Sequence, residues 1–135
     1  MAYIPYNVEK NGKTMQKYKA MFYEKPDGTK PTKEFLLKLD TKMKAKMLRT
    51  ISLLEENGQD LREPYSKHLC NGIFELRAKV GTNISRVLYF FVVNKRAILT
   101  HGFVKKEDKT PQSQIDRAIN YRREYYNRRR GNNNE

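Results

Sequence analysis

The sequence predicts an α+β fold in which a twisted antiparallel sheet, mostly a meander, packs against an N-terminal αα-hairpin and is followed by a C-terminal helix. Three patterns support this prediction. Apolar residues recur every three or four positions between residues 35 and 54, alternate with charged residues from residue 73 onward, and recur helically after a Thr-Pro pair at 110–111. The predicted order of elements is β-α-α-β-β-β-α, with the helices on one face of the sheet.

The first strand is predicted at residues 18–24, and a Pro-Asp-Gly turn closes it. Thr32 is predicted to cap the first helix of the hairpin, and Asp40 the second. The second helix is expected to end at Gly58, because glycine accepts the left-handed conformation of a helix C-terminus. Its apolar stripe consists of Met43, Met47, Leu48, Ile51 and Leu54.

The meander is predicted from three later segments, joined by turns at 81–83 and 94–96. Residues 73–80 alternate, which predicts one core face and one charged face. Residues 85–93 are apolar on both parities, which is typical of a central strand covered on both sides. Residues 97–104 form the third strand. The alternation places Phe74, Leu76, Ala78 and Val80 on the core face and Glu75, Arg77 and Lys79 on the charged face.

The C-terminal helix is predicted from a cap residue followed by a proline. Thr110 can cap the helix, and Pro111 fits its first turn because proline has no amide hydrogen to leave unpaired. The helical pattern continues to Tyr125 or Tyr126. The packed domain is therefore expected to end soon after this helix.

Length and composition predict one small cytoplasmic domain. The chain has 135 residues, a net charge of +13 and 38% hydrophobic residues. Residues 18–127 are assigned to a single domain, residues 1–17 to a poorly ordered arm and residues 128–135 to a basic, polar tail. The longest apolar run, residues 87–93, is far shorter than the roughly 20 residues of a membrane-spanning helix. No membrane partner is expected.

Most standard catalytic motifs are absent from the sequence. It has no glycine-rich phosphate loop, no metal-ligand spacing and no carboxylate pair on one strand, so we expect neither a metal site nor a cofactor. Cys70 and His68 resemble a thiol and its base, but no third group orients them. A structural cysteine is the alternative.

The basic excess suits either a polyanionic partner or simple solubility. Nine tyrosines and six phenylalanines lie among the lysines and arginines. Aromatic rings can stack on bases while cations contact phosphates, so this mixture favours nucleic acid.

The cations of the predicted sheet suggest a site. Arg77 lies on the charged face of its strand, and Arg86 interrupts an apolar strand. A charged side chain in an apolar strand must be paired with an opposite charge or must face a polar cleft. Arg86 therefore forms a salt bridge with Glu75 or lines a cationic groove, which would stabilise the phosphorane formed when a 2′-hydroxyl attacks RNA. His101 likewise has two interpretations, a core histidine or a catalytic one.

Three sequence blocks resemble a known family. They are residues 72–77 (GIFELR), residues 85–90 (SRVLYF) and residues 101–106 (HGFVKK), the last followed by Lys109-Thr110-Pro111. Together they resemble the phage-derived, HigB-like branch of the RelE superfamily, the toxins of type II toxin–antitoxin systems. The similarity runs from about residue 35 to residue 125.

The resemblance implies a RelE-like fold and a metal-independent mRNA interferase, an endoribonuclease that uses 2′-hydroxyl attack on ribosome-bound mRNA. Such a toxin inhibits translation and growth until a cognate antitoxin, here expected to be a small helix-turn-helix protein, silences it. Arg77 resembles the phosphate-binding cation, Arg86 the transition-state arginine, and Lys106 a catalytic cation. Further RNA contacts are expected from Lys79, Lys105 and Lys109.

The general base is left open by the resemblance. RelE toxins use a tyrosine in the C-terminal segment, whereas this chain has none after Lys109 until Tyr121. The candidates are Lys106, Tyr89 and His101. Two other functions stay open, a non-catalytic RNA- or ribosome-binding module and a degenerate toxin retained for partner binding. Only the enzyme requires Arg77, Arg86 and Lys106 on one concave face.

Overall fold

The computed structural model describes residues 17–133, which form five strands, three α-helices and a short 3-10 turn. The arm predicted at residues 1–17 therefore lies outside the described residues, except for Lys17. In chain order the elements are β1 (Lys19–Phe22), α1 (Pro31–Lys38), α2 (Thr41–Asn57), the 3-10 turn (Gly58–Asp60), β2 (Ser66–Cys70), β3 (Ile73–Val80), β4 (Asn83–Val92), β5 (Arg96–Lys105) and α3 (Gln112–Asn133).

The five strands form one sheet in the order β1-β5-β4-β3-β2. Strands β3 to β5 form the predicted antiparallel meander, with ends that differ from the predicted ones by at most two residues, and β2 extends the meander by one antiparallel strand. Strand β1 pairs in parallel with β5, so the prediction of an antiparallel sheet is wrong for this strand. The two helices between β1 and the meander provide the crossover that a parallel pair requires.

Strand β2 was not among the predicted strands. It reads Ser-Lys-His-Leu-Cys and pairs with β3 at one edge of the sheet. An edge strand has little core to face, and here Lys67 and His68 are exposed. The apolar alternation that reveals the other strands is therefore missing from it.

The two N-terminal helices form as the sequence indicates, with one difference at a cap. The Asp40 side chain accepts a hydrogen bond from the Met43 amide at 2.9 Å, which confirms the predicted cap of α2, and Gly58 ends that helix with φ 55°. Thr32 does not cap α1. Pro31 starts this helix, so Thr32 falls inside its first turn and is buried.

Helices cover both faces of the sheet, which corrects the predicted one-sided arrangement. Helices α1 and α2 pack on one face, where Leu76 and Ala78 of β3 are buried as predicted. Leu48, predicted in the apolar stripe, is 47% exposed. Helix α3 packs on the other face, where Ala118 and Tyr125 meet Ile73, Leu88, Phe90 and Ile98.

The covering of the second face also corrects the prediction that Glu75 faces solvent. Its side chain is fully buried. Helix α3 and the segment that precedes it lie over this part of β3, where alternation alone indicated a charged outer surface. The opposite parity of β3 is core as expected, with Phe74 and Val80 partly buried against the α1 and α2 side.

Helix α3 extends beyond the predicted boundary. Arg128, Arg129 and Arg130 were assigned to a tail, but the helix continues through Asn133. Arg128 forms an i,i+4 ion pair with Glu124 at 2.8 Å and donates to the Glu24 carbonyl, which ties this turn to the body of the protein. Within residues 17–133, none of the helices has the length and apolar character needed to cross a membrane.

Gly102 of β5 provides a test of the packing between α1 and the sheet. A Cβ added there would overlap the Phe35 ring, so we expect Gly102→Ala to reduce the free energy of unfolding by about 1–3 kcal/mol through overpacking. Urea unfolding measures the change. Gly131→Ala is the control, because its Cβ would meet open space. Equal midpoints for the two variants would contradict the packing described.

Candidate nucleic-acid interface

Most of the predicted site residues share the sheet face that α3 covers, here called the α3 face. Residues directly opposite each other in an antiparallel sheet lie on the same face. On the α3 face, the pairing of β3, β4 and β5 therefore places residues side by side in three rows, each with one residue from each strand. The first row is Glu75, Leu88 and His101. The second is Arg77, Arg86 and Phe103, and the third is Lys79, Ile84 and Lys105.

The last of these rows lies at an open end of the α3 face. Lys79 and Lys105 are exposed there. The chain then forms the loop of residues 106–111, in which Lys106 and Lys109 are also exposed. We call these four residues the lysine cluster. They are four of the eight predicted catalytic and RNA-binding residues, and all four are exposed.

Arg86 lies beneath the loop and is fully buried. Its guanidinium donates to the carbonyls of Glu107 and Asp108, the latter at 2.8 Å, and to the Thr110 hydroxyl at 3.2 Å. Its Nη1 lies 3.7 Å from Glu75 Oε2. The interpretation of Arg86 as a salt-bridge partner of Glu75 is confirmed. Its interpretation as a groove residue in contact with RNA is wrong for this conformation, because no part of the side chain is accessible.

Glu75 is the buried centre of an ionic network that reaches the surface at Asp108, whose side chain is 81% exposed. Its carboxylate accepts a hydrogen bond from Arg77 Nε at 2.5 Å and another from the Thr110 hydroxyl. Arg77 also donates to the Asp108 carboxylate at 2.8 Å and to the Asp108 carbonyl at 2.6 Å. Thr110, predicted as a helix cap, instead binds the sheet. We call Glu75, Arg77, Arg86, Asp108 and Thr110 the Glu75 network.

The Glu75 network holds the 106–111 loop against the sheet and offsets its own charges. Its two guanidinium groups face two carboxylates. Burial opposes the charge of Arg77, but the bonds and charges of Glu75 and Asp108 raise the pKa of Arg77, and the bond and charge of Arg77 lower the pKa of Asp108. The net positive charge at this end of the α3 face therefore comes from the exposed lysines.

Tyr89 lies on the opposite face of the sheet, in the core with α2, and is 1% exposed. Its hydroxyl is 2.5 Å from Ser66 Oγ. Burial raises the pKa of Tyr89 to about 12, and the Ser66 bond offsets this only in part. Tyr89, predicted as a candidate base, is therefore out of reach of RNA in this structure.

His101 is on the α3 face but under the helix, with 1% of its surface exposed. Its Nε2 donates to Gln114 Oε1 at 2.8 Å, and the Thr100 hydroxyl faces Nδ1 at 3.0 Å. Burial lowers the pKa of His101 to about 4, and the charge of Arg117 adds to this effect while the Gln114 bond opposes it. This environment is that of a core histidine, the first of its two interpretations, and it leaves no open path from His101 to RNA in this structure.

The Cys70 and His68 pair does not assemble into a nucleophilic site. The register of β2 shifts between the two residues, and His68 Nε2 accepts a bond from the Gly72 amide at 3.3 Å. The His68 ring packs on Phe74. Among residues 17–133, no group of three or more His, Cys, Asp or Glu side chains could hold a metal ion.

Sequence reasoning missed the loop partners of the arginines, Asp108 and Thr110. No local signal identifies them, because both contacts join residues more than twenty positions apart. Glu75 had a signal, since a carboxylate two positions before Arg77 shares its face of the strand.

An exposed lysine cluster over an ionic network whose charges cancel is an electrostatic pattern typical of domains that bind polyanions. The chain belongs to the phage-derived Gp49-like family (DUF891), whose family model matches residues 34–123. This family is associated with toxin–antitoxin modules, which implies an antitoxin partner. The match contains the whole Glu75 network and the lysine cluster. A search among curated proteins gave no match.

Proposed function

We propose that this protein is the toxin of a type II toxin–antitoxin system, of the HigB-like branch of the RelE superfamily, and that it cleaves mRNA on the ribosome. The observation that carries the proposal is the exposed lysine cluster at the open end of the α3 face, in a member of a family associated with toxin–antitoxin modules. Lysine side chains on two strands and a loop suit the closely spaced phosphates of a single strand.

The proposed catalysis depends on positive charge near the scissile phosphate and on the position of the 2′-hydroxyl beside it. The 2′-hydroxyl attacks the adjacent phosphorus, the bond to the 5′-oxygen breaks, and a cyclic phosphate and a 5′-hydroxyl result. Lys79, Lys105 and Lys109 stabilise the negative charge of the phosphorane. Lys106 is the proposed base, because Tyr89 and His101 are buried; it takes the proton of the 2′-hydroxyl and returns it to the departing 5′-oxygen. Arg86 and Glu75 position the loop that carries Lys106, and Arg77 has 14% of its side chain exposed at the border of the site.

A second function, a non-catalytic RNA- or ribosome-binding module, is favoured by one observation. Both arginines that the resemblance would assign to catalysis are engaged within the Glu75 network. The two functions share the lysine cluster and differ in whether the bound strand is cut.

Expression of the chain is expected to stop growth unless the antitoxin is supplied, and ribosome-bound messages should acquire new 5′ ends. Lys106→Ala should reduce the single-turnover cleavage rate on programmed ribosomes by about a hundredfold or more, the contribution of one positioned general base. Primer extension measures the cuts.

Lys33→Ala is the matched control, because Lys33 is an exposed lysine on α1, on the other side of the sheet. It should cleave at the wild-type rate. Growth arrest without cleavage would favour the non-catalytic module, and equal rates for the two lysine variants would remove Lys106 from the site.

A further inference from the structure

A pocket of 270 Å³ adjoins the lysine cluster at the free edge of β3. Strand β2 begins at Ser66 opposite Leu76, so the second half of β3 has no strand on that side within the described residues. Most of the pocket surface is apolar. Its apolar walls include Pro64, Ala78 and Ile84.

Tyr65 is the aromatic wall of this pocket and is 44% exposed. Its backbone is fixed, because its carbonyl accepts the Arg77 amide at 2.9 Å and its amide donates to the Arg62 carbonyl at 3.0 Å. Tyr65 lies in the turn that precedes β2, and the bond from the Arg77 amide places its backbone opposite Arg77. Its side chain and that of Arg77 line the same pocket.

The rim of the pocket is cationic. The pocket is lined by three cationic side chains, those of Lys46, Arg77 and Lys79, and by one carboxylate, that of Asp108. Arg77 already forms an ion pair with Asp108. Lys46 Nζ donates to the Lys79 carbonyl at 2.6 Å, so its charge is held at the edge of β3. Lys79 belongs both to this rim and to the lysine cluster, and the two surfaces are therefore continuous.

We infer that this pocket binds one base of a single-stranded RNA whose phosphates lie on the lysine cluster, with Tyr65 as the stacking platform. The inference rests on the proposed function and adds a subsite to it. A flat aromatic ring beside apolar walls, bordered by cations, matches a base attached to a phosphate chain. An acidic peptide would use the cations but would leave the exposed ring and the apolar walls without a matching group.

The test compares two single-stranded RNA decamers with 2′-O-methyl riboses, which cannot be cut, one with bases and one abasic throughout. Tyr65→Ala should weaken binding of the base-containing decamer by about tenfold and leave the abasic decamer unchanged. Tyr65→Phe should bind both like the wild type. The salt dependence should be the same for all variants, because no phosphate contact is lost.

Tyr126→Ala is the matched control, since Tyr126 has a similar exposure, 40%, on helix α3. It should not change the preference for bases. The inference is overturned if Tyr65→Ala binds the base-containing decamer like the wild type, if it weakens both decamers equally, or if it weakens only the antitoxin complex, which would make the pocket a protein-binding site.

The same proteins separate this inference from the proposed function. If the wild type arrests growth and cuts mRNA, but Tyr65→Ala binds the base-containing decamer as tightly as the wild type does, only the base pocket is wrong. If Tyr65 discriminates between the decamers while the wild type neither arrests growth nor cuts mRNA, the pocket stands and the toxin activity is wrong.

Discussion

Replacement of Arg86 by alanine is expected to reduce the free energy of unfolding by about 3–5 kcal/mol, because it removes one partner of a buried ion pair and leaves polar groups unsatisfied. The guanidinium supports Glu75, two loop carbonyls and Thr110 at once. Arg86→Lys should recover only part of the loss, since an ammonium cannot reproduce the planar fork that reaches several acceptors.

Urea unfolding followed by circular dichroism measures this effect. Arg49→Ala, which removes an exposed arginine from α2, is the control and should change stability by about 0.5 kcal/mol or less. Combining Arg86→Ala with Glu75→Gln should destabilise less than the sum of the two single changes, because the residues share one network. An Arg86→Ala protein as stable as Arg49→Ala would show that the network does not hold the loop.

Acidification is expected to destabilise the protein through His101. Burial lowers the pKa of this histidine to about 4 in the folded state, whereas in the unfolded chain it is about 6.5. Between these values the unfolded chain binds a proton that the folded protein excludes. The free energy of unfolding should therefore be unaffected by His101 above pH 6.5 and fall as the pH drops below it, by about 2 kcal/mol at pH 5 and about 3 kcal/mol at pH 4.

The measurement is urea unfolding at pH 7, 6 and 5 for the wild type, His101→Gln and His68→Gln. Glutamine cannot take up the proton, so His101→Gln should lack this part of the pH dependence. His68 is the matched control because it is exposed on β2, and its variant should follow the wild type. Equal losses for the wild type and His101→Gln between pH 7 and 5 would exclude His101 as the source.

The helical hairpin could be predicted because its determinants are local. The Asp40 cap, the glycine at position 58 and a stripe of apolar residues are all contained in one stretch of chain. The parallel pairing of β1 and the position of α3 are different, since each depends on contacts with distant segments. Alternation in β3 identified its two faces correctly, but it could not show that a loop and a helix would bury Glu75.

The site could be predicted only where it depends on the local pattern of the strands. Arg77 and Arg86, expected on one face, lie directly opposite each other on β3 and β4. Their burial depends on the path of the 106–111 loop, which side-chain contacts to the sheet determine. The register also shifts after Leu88, which pairs with His101, so that Tyr89 pairs with Leu99. Regular alternation does not reveal such a bulge.

The parallel pairing of β1 has a consequence for the order of folding. Strands β2 to β5 are joined by short turns, so each hairpin closes a small loop. Lys19 of β1 instead meets Arg96, across the whole hairpin of helices and most of the meander. Closing that long segment loses more chain entropy before any contact compensates for it. The topology thus favours a folding nucleus in the meander, onto which β1 docks last.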